Sequence, residues 1–338
     1  MPGRDHGRST PRSCGAPASD KLPGLMRGKD GAPSGLEKLA RNAGPLRVAV
    51  VHPCDAPSLQ GLLAASTGTG AGFIAPIIVA PRGKLEALAR TMCVDLTPFA
   101  IEDVPHSHAA ASRAVELVAS GTVDALMKGS LHTDELMSAV IAPSSGLLTD
   151  KRVSHCFLIE TPAYERPFII TDAAVNIAPD LEQKRAIVQN AIDLAHSLGV
   201  RHPRVAVLCA VETVNPRMHS TVDAAALAKM AERGQLTGAS VDGPLAFDIA
   251  VSACAARIKG IISPVAGHAD ILVVPDLEAG NMLVKQLEFL GGAASAGVVV
   301  GARVPVILTS RADSVAARVN SCALAAAVAI RRDDASPE

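Results

Sequence analysis

The stretch VPVILTSRADSVAARVNSCALA, Val304 to Ala325, decides the fold. Its opening, VPVILT, is short, rich in Val and Ile and stopped by a polar pair, which predicts a strand buried on both faces. Small residues at helical spacing follow, so a helix is expected from Asp313 or Ser314. Ser310 and Arg311 then fall at the C-terminal end of the strand, where α/β folds place ligands. Unpaired N–H groups and the dipole at the helix start favour an anion there. A guanidinium adds a bidentate fork suited to phosphate or to a carbonyl oxygen becoming negative. The local alternative is that Ser310, Asp313 and Ser314 only cap the helix and Arg311 is solvated.

The same unit repeats along the chain. Short aliphatic runs bounded by Pro, Gly and Asp predict strands at 47–51, 74–80, 124–129, 155–160, 167–172, 204–210, 271–276, 297–302 and 304–309, with helices in the gaps. One helix is well marked: Asp180 caps it, Ile187, Ala191, Leu194, Ala195 and Leu198 form its apolar stripe, and Gly199 ends it. Another is expected from a Ser220 cap to Gly234. The alternation predicts an α/β architecture with largely parallel strands and right-handed crossovers. Residues 1–44, rich in Gly, Pro, Ser and charge without a sustained period, read as a flexible tail.

Composition narrows the function. Apolar residues make up 49% of the 338, yet there is no Trp and a single Tyr, so the core is aliphatic and no aromatic platform exists for stacking bases. A net charge of −1 offers no field for nucleic acid or an acidic membrane, and no apolar run is long enough to span a bilayer. The seven cysteines form no C-x-x-C pair and several sit in apolar runs, as expected of reduced thiols in a cytoplasmic protein.

Familiar motifs are weak or missing. TGTGAG, Thr67 to Gly72, has the wrong spacing for a dinucleotide fingerprint and precedes a strand, so it reads as a loop. A P-loop, a G-x-S-x-G elbow, a D-x-x-x-D carboxylate pair and an H-x-x-x-H set are all absent, and no metal is expected. His106 and His108 read first as an exposed, capped helix start. Polar residues interrupt the apolar runs in a recurring way: Lys128, Gly129, Ser130 and His132 in one segment, Asp172 and Asn176 in another, Asp276, Gly280 and Asn281 in a third. Taken singly each is turn chemistry, but several could line one cleft at strand ends.

These segments, in this order, resemble the phosphate acetyl/butyryltransferase family from Val48 to Val328: ALMKGSLHTDELM, ITDAAVNIAPDLEQKR, AVETVNP, DGPLAFDIA, SPVAGHADILVVPDLEAGNML and VILTSRADS. The likeness is nearest to phosphate butyryltransferases and to the phosphate acetyltransferase part of proteins fused to an enoyl-CoA hydratase. The resemblance implies a two-domain fold similar to isocitrate/isopropylmalate dehydrogenases, mostly parallel, with an interdomain cleft. By that analogy residues 45–148 plus 293–338 form one domain and 149–292 the other. It implies reversible acyl transfer between CoA and phosphate, no permanently bound cofactor, acyl-CoA and phosphate as substrates, and a homodimer or higher homo-oligomer. Ser310 and Arg311 match the family's Ser-Arg pair and are the catalytic candidates. Lys128, Gly129, His132, Arg152, Ser154, Asp172, Asn176, Gly280 and Asn281 are the substrate-binding candidates, with Lys128, Arg152 and Ser154 the candidates for CoA. Where the acetyl branch carries an Asp seven positions after the Ser, this chain has Ala317, and no base role is carried over. Two other readings compete: an NAD-dependent β-decarboxylating dehydrogenase of the same fold, and a non-catalytic CoA-binding module.

Overall fold

The computed structural model describes residues 25–26, 34–68 and 70–333. Strands β1 (Leu46–Val51), β2 (Ile74–Ala80), β3 (Ala100–Asp103), β4 (Ala125–Lys128), β5 (Ser154–Glu160), β6 (Phe168–Thr171), β7 (Arg204–Leu208), β8 (Ser240–Leu245), β9 (Ile271–Val273), β10 (Ala294–Val300) and β11 (Val306–Ile307) form a single sheet. Its spatial order is β3-β2-β1-β4-β11-β10-β5-β6-β9-β7-β8. Helices α1 (Gly35–Ala43), α2 (Ala56–Ala65), α3 (Arg82–Met92), α4 (Ser107–Ala119), α5 (Thr133–Ile141), α6 (Leu181–Ser197), α7 (His219–Glu232), α8 (Phe247–Val251), α9 (Ala253–Ile258), α10 (Leu277–Phe289) and α11 (Val315–Asp333) lie between and after the strands.

The direction of the strands matters for the site. The β3-β2-β1-β4-β11 block is parallel throughout, and so is the β6-β9-β7-β8 block. Between them β10 is antiparallel to both β11 and β5, and β5 is antiparallel to β6. The two blocks therefore run in opposite directions, and their C-terminal strand ends lie at opposite edges of the sheet.

Aliphatic residues fill both faces, as the run composition predicts: Val48, Val50, Ile78, Val298 and Ile307 are wholly buried on one, and Val51, Val79, Leu126, Val299 and Val306 on the other. The α6 signals act as read, since Asp180 forms a capping box with Gln183 and Gly199 takes a left-handed φ of 90°. Ser220 is not the cap of α7; that helix starts at His219, preceded by Met218 with no side-chain cap. Two strands escape the run-based reading. β3 is AIED, half polar at the sheet's outer edge, and β8 is SVDGPL, interrupted by Gly-Pro at the other edge, where a missing N–H is tolerated.

The stretch read as tail also holds structure. Ser34 and Glu37 form a capping box, Leu36 and Ala40 are buried, and α1 packs against α11. Leu25 is buried and the Met26 N–H donates to Glu160 at 2.7 Å. A helix of 9 residues is too short to announce itself by period, and tertiary packing holds it. The remaining positions of that stretch lie outside the described residues. Ser34→Ala should cost about 0.5–2 kcal/mol in urea unfolding; an unchanged midpoint would mean that α1 is not part of the cooperative unit.

Candidate functional site

Three neighbouring strands of the first block, β1, β4 and β11, end at one edge. β1 closes on His52, held at a φ of 53°. β4 ends at Lys128 and continues into Gly129, which allows the closest backbone approach of the group: a Cβ there would sit 2.4 Å from the Val51 carbonyl oxygen. Ser130 stitches the two loops, its hydroxyl donating to the His52 carbonyl at 2.8 Å and accepting from the Cys54 N–H at 3.2 Å. The His52 ring nitrogen Nδ1 lies 3.0 Å from the same hydroxyl, and burial, reinforced by Lys84, holds that imidazole below its ordinary pKa and so neutral at pH 7.

β11 runs on through Leu308 and Thr309 to a tight turn. The Asp313 N–H donates to the Ser310 carbonyl at 3.2 Å, and the Ser310 N–H donates to Asp313 Oδ2 at 2.6 Å. The start of α11 is capped by Ser314, whose hydroxyl accepts from the Ala317 N–H at 3.1 Å. Asp313 is thus not the helix cap, which separates two roles that sequence alone leaves merged.

Three cations converge here. Lys128 is buried, its Nζ at 3.4 Å from the carbonyls of both Gly129 and Thr309; burial first, then Arg318 and Arg311, push its pKa down. Arg318, on α11, is fully buried. It donates to Thr309 Oγ1 at 3.0 Å and to the Ser310 carbonyl at 2.8 Å, while its Nε has no partner among the described residues. Gly61 on α2 makes room for it, since a Cβ there would lie 2.5 Å from the arginine Cδ. Arg311 is exposed and has no ion pair among the described residues, yet its charge is felt at Lys128. An arginine that is to receive an anion has to be left unpaired in this way.

Arg318 is the residue of this candidate site that the sequence reading missed. In VAARVNS it looks like a surface arginine. The available signal was its position one turn from Ser314 and Cys322, on the small-residue face of α11, where a charge has no solvent to reach.

The other candidates assemble elsewhere. Asp172, buried after β6, accepts from the backbone N–H groups of His155, Ala174 and Val175 and from Asn176 Nδ2 at 2.6 Å. Asn176 in turn accepts from Arg152 Nε at 2.7 Å, and Ser154 accepts from Asn190 Nδ2 at 2.8 Å. Asn281 reaches the Ala173 carbonyl at 3.4 Å, and Gly280 is a close approach, its absent Cβ 2.9 Å from that of Ala173. This network sits where β5 begins and β6 ends, at the opposite edge from Lys128, Gly129, Ser310 and Arg311. Within one chain the expectation of a single row of strand ends is therefore corrected: antiparallel β10 and β5 reverse the second block. His132 is exposed at the start of α5, with no side-chain capping bond, on the Lys128 side. His106 caps α4, its Nδ1 accepting from the Ala109 N–H at 3.2 Å, and both His106 and His108 are exposed, as expected of a capped helix start.

Such a site, a cationic edge beneath a turn and a helix start, belongs to proteins that handle anionic small molecules. The family model described as phosphate acetyl/butaryl transferase matches residues 61–326. Over 303 residues the chain is 57% identical to a phosphate acetyltransferase of Rhizobium meliloti, covering 89% of this chain and 95% of that one. It is 42% identical over 283 residues to a phosphate butyryltransferase of Clostridium acetobutylicum, covering 84% and 93%. Among solved structures, a branched-chain phosphotransacylase from Enterococcus faecalis superposes with a TM-score of 0.72 at 33% identity, covering 84% of this chain and 99% of that one. The chain belongs to the phosphate acetyl/butyryltransferase family.

Two outcomes follow from the buried cations. Arg318→Ala leaves the Thr309 hydroxyl without its guanidinium donor and the Ser310 carbonyl with the Asp313 N–H alone, a loss of about 1–3 kcal/mol; urea unfolding that shows no loss would remove the anchor. Because the folded-state pKa of Lys128 is depressed, stability attributable to it rises as pH climbs toward the unfolded value of about 10.4. Lys128→Met should raise the urea midpoint at pH 7, flatten that pH dependence and lower turnover together; a lower midpoint at pH 7 would contradict the burial cost.

Proposed function

We propose that this chain is a phosphate acyltransferase that moves a short acyl group, acetyl to butyryl, reversibly between CoA and inorganic phosphate. Phosphate attacks the thioester directly while both substrates share the site, with no permanently bound cofactor. The observation that carries the reading is the meeting of Lys128, Arg311 and Arg318 at the Ser310–Asp313 turn, inside the span matched by the family. Two anionic substrates must be held together there, and negative charge grows on the carbonyl oxygen as the tetrahedral species forms.

In this reading Arg311 holds phosphate and stabilises the oxyanion. Lys128 adds a charge that needs no reorganisation, Arg318 fixes the turn, and the Ser310 hydroxyl donates to the departing sulfur or to phosphate. Phosphate is a nucleophile near neutral pH and a thiolate leaves readily, so no covalent intermediate on the protein is needed. The higher identity to a phosphate acetyltransferase than to a phosphate butyryltransferase supports acetyl as the first choice. The Arg152, Ser154, Asp172 and Asn176 network is assigned to CoA or to an arrangement completed between copies in a homodimer. The division at 45–148 plus 293–338 and 149–292, with a cleft between, follows the resemblance. A cytoplasmic location agrees with the finding that no helix among the described residues is long and apolar enough to cross a membrane. The dehydrogenase reading is not favoured, because the named relatives are transferases.

Thiol release from acetyl-, propionyl- and butyryl-CoA, with and without phosphate, tests the reaction. Release must depend on phosphate, and Arg311→Ala should cut turnover by about 10²–10³-fold, as loss of an oxyanion donor does. Unchanged turnover would take Arg311 out of the mechanism.

A further inference from the structure

A cavity of about 210 Å³ opens beside the Ser310–Asp313 turn, lined among others by Glu288, Ser295, Asp313, Ser314, Ala317 and Asn320. Two carboxyl-bearing residues thus line one half-open space. Glu288, at the C-terminal end of α10, accepts a hydrogen bond from the Ser295 hydroxyl of β10. Asp313 accepts the Ser310 N–H through Oδ2, and its other oxygen has no partner among the described residues. Capping of α11 falls to Ser314, so the helix does not account for the Asp313 side chain.

The reaction leaves a proton without a stated route. Monohydrogen phosphate forms a bond from one oxygen to the acyl carbon, and the carbon–sulfur bond breaks with its electron pair leaving on sulfur. The products at pH 7 are an acyl phosphate without that proton and a thiol with it, since thiols hold their proton to about pH 8.5. The proton lost by phosphate is the one gained by sulfur, and no oxidant or further reactant is needed.

We propose, on the transferase reading above, that the Asp313 carboxylate takes the proton from the attacking phosphate and returns it to the departing CoA sulfur. Glu288, across the same cavity, acts through Asp313 as a positioning residue that keeps it basic. The surroundings support this. Burial raises the pKa of both carboxyls, and Asp313 raises that of Glu288 further by charge repulsion. The opposing groups that face Asp313 are the Ser310 N–H, Arg318 of α11, Lys285 of α10 and Lys128 of β4. A carboxylate lifted toward neutrality while ringed by cations suits a group that must both accept and release a proton.

The test uses the full chain, acetyl-CoA and inorganic phosphate, with thiol release followed from pH 5 to pH 9. Asp313→Asn keeps an oxygen for the Ser310 N–H but cannot relay a proton. It should lower kcat about a hundredfold or more, flatten the acid limb of the profile and leave the KM for phosphate within about threefold. Glu288→Gln removes a neighbouring negative charge, so the acid limb should move to lower pH. Turnover of Asp313→Asn within about threefold of the unsubstituted protein, with the acid limb intact, overturns the relay. If that variant fails to fold by circular dichroism, the Glu288→Gln profile decides, and an unmoved acid limb overturns it. An unsubstituted protein that releases no thiol in response to phosphate overturns the transferase reading and the relay with it; phosphate-dependent release with unaffected variants overturns the relay alone.

Discussion

The site depends on one buried guanidinium. Arg318 reaches from α11 to the end of the neighbouring strand and holds both the Thr309 hydroxyl and the Ser310 carbonyl. A charged group with no exposure is costly in an aliphatic core unless its donors are used. Gly61 opens the space for its stem and Thr309 supplies an acceptor that an alanine would not. Burial first, and then the same charge, lower the pKa of Lys128 on the adjoining strand, which shares Thr309 with it. The anchor therefore contributes to the field of the edge as well as to its geometry.

This arrangement explains why the strand seam carries two arginines with different fates. Arg318 is consumed by the protein, and Arg311 is left for solvent or substrate. If Arg311 alone marked the seam, the turn holding it would be free to change shape. With the strand end pinned from below and Asp313 closing the turn from above, Ser310 and Arg311 keep a fixed relation to Lys128. Preorganisation of that kind spares the cost of orienting donors as charge develops.

Much of the sheet was legible because fully buried strands are written as aliphatic runs, and VPVILT holds β11 with its Ser-Arg pair beyond the C-terminal end. β3 and β8 were illegible for the opposite reason: edge strands need not be apolar, so AIED and SVDGPL carry no run to see. Helix α1 was hidden because only contact with α11 makes its short stripe meaningful. At the site, Lys128, Ser310 and Arg311 could be placed by their strand ends. Asp172, Asn176 and Arg152 could be seen as polar breaks but not placed, since the reversal at β10 and β5 is a matter of sheet topology that no local window contains. Arg318 fell between the two cases, a charge on an apolar face.

The pairing of β4 with β11 joins residues far apart in the chain: Lys128 and Thr309 are 181 positions apart and yet bonded. On a ribosome adding roughly 5–20 residues per second, β4 waits on the order of 10–40 s before its partner emerges. For that interval the flank of β4 is an open hydrogen-bonding edge, and the lysine beside it has no arginine-braced turn to neighbour. Birth of this cationic edge is thus a late event in synthesis, and it places the nascent first block among the segments that a chaperone would have reason to shield.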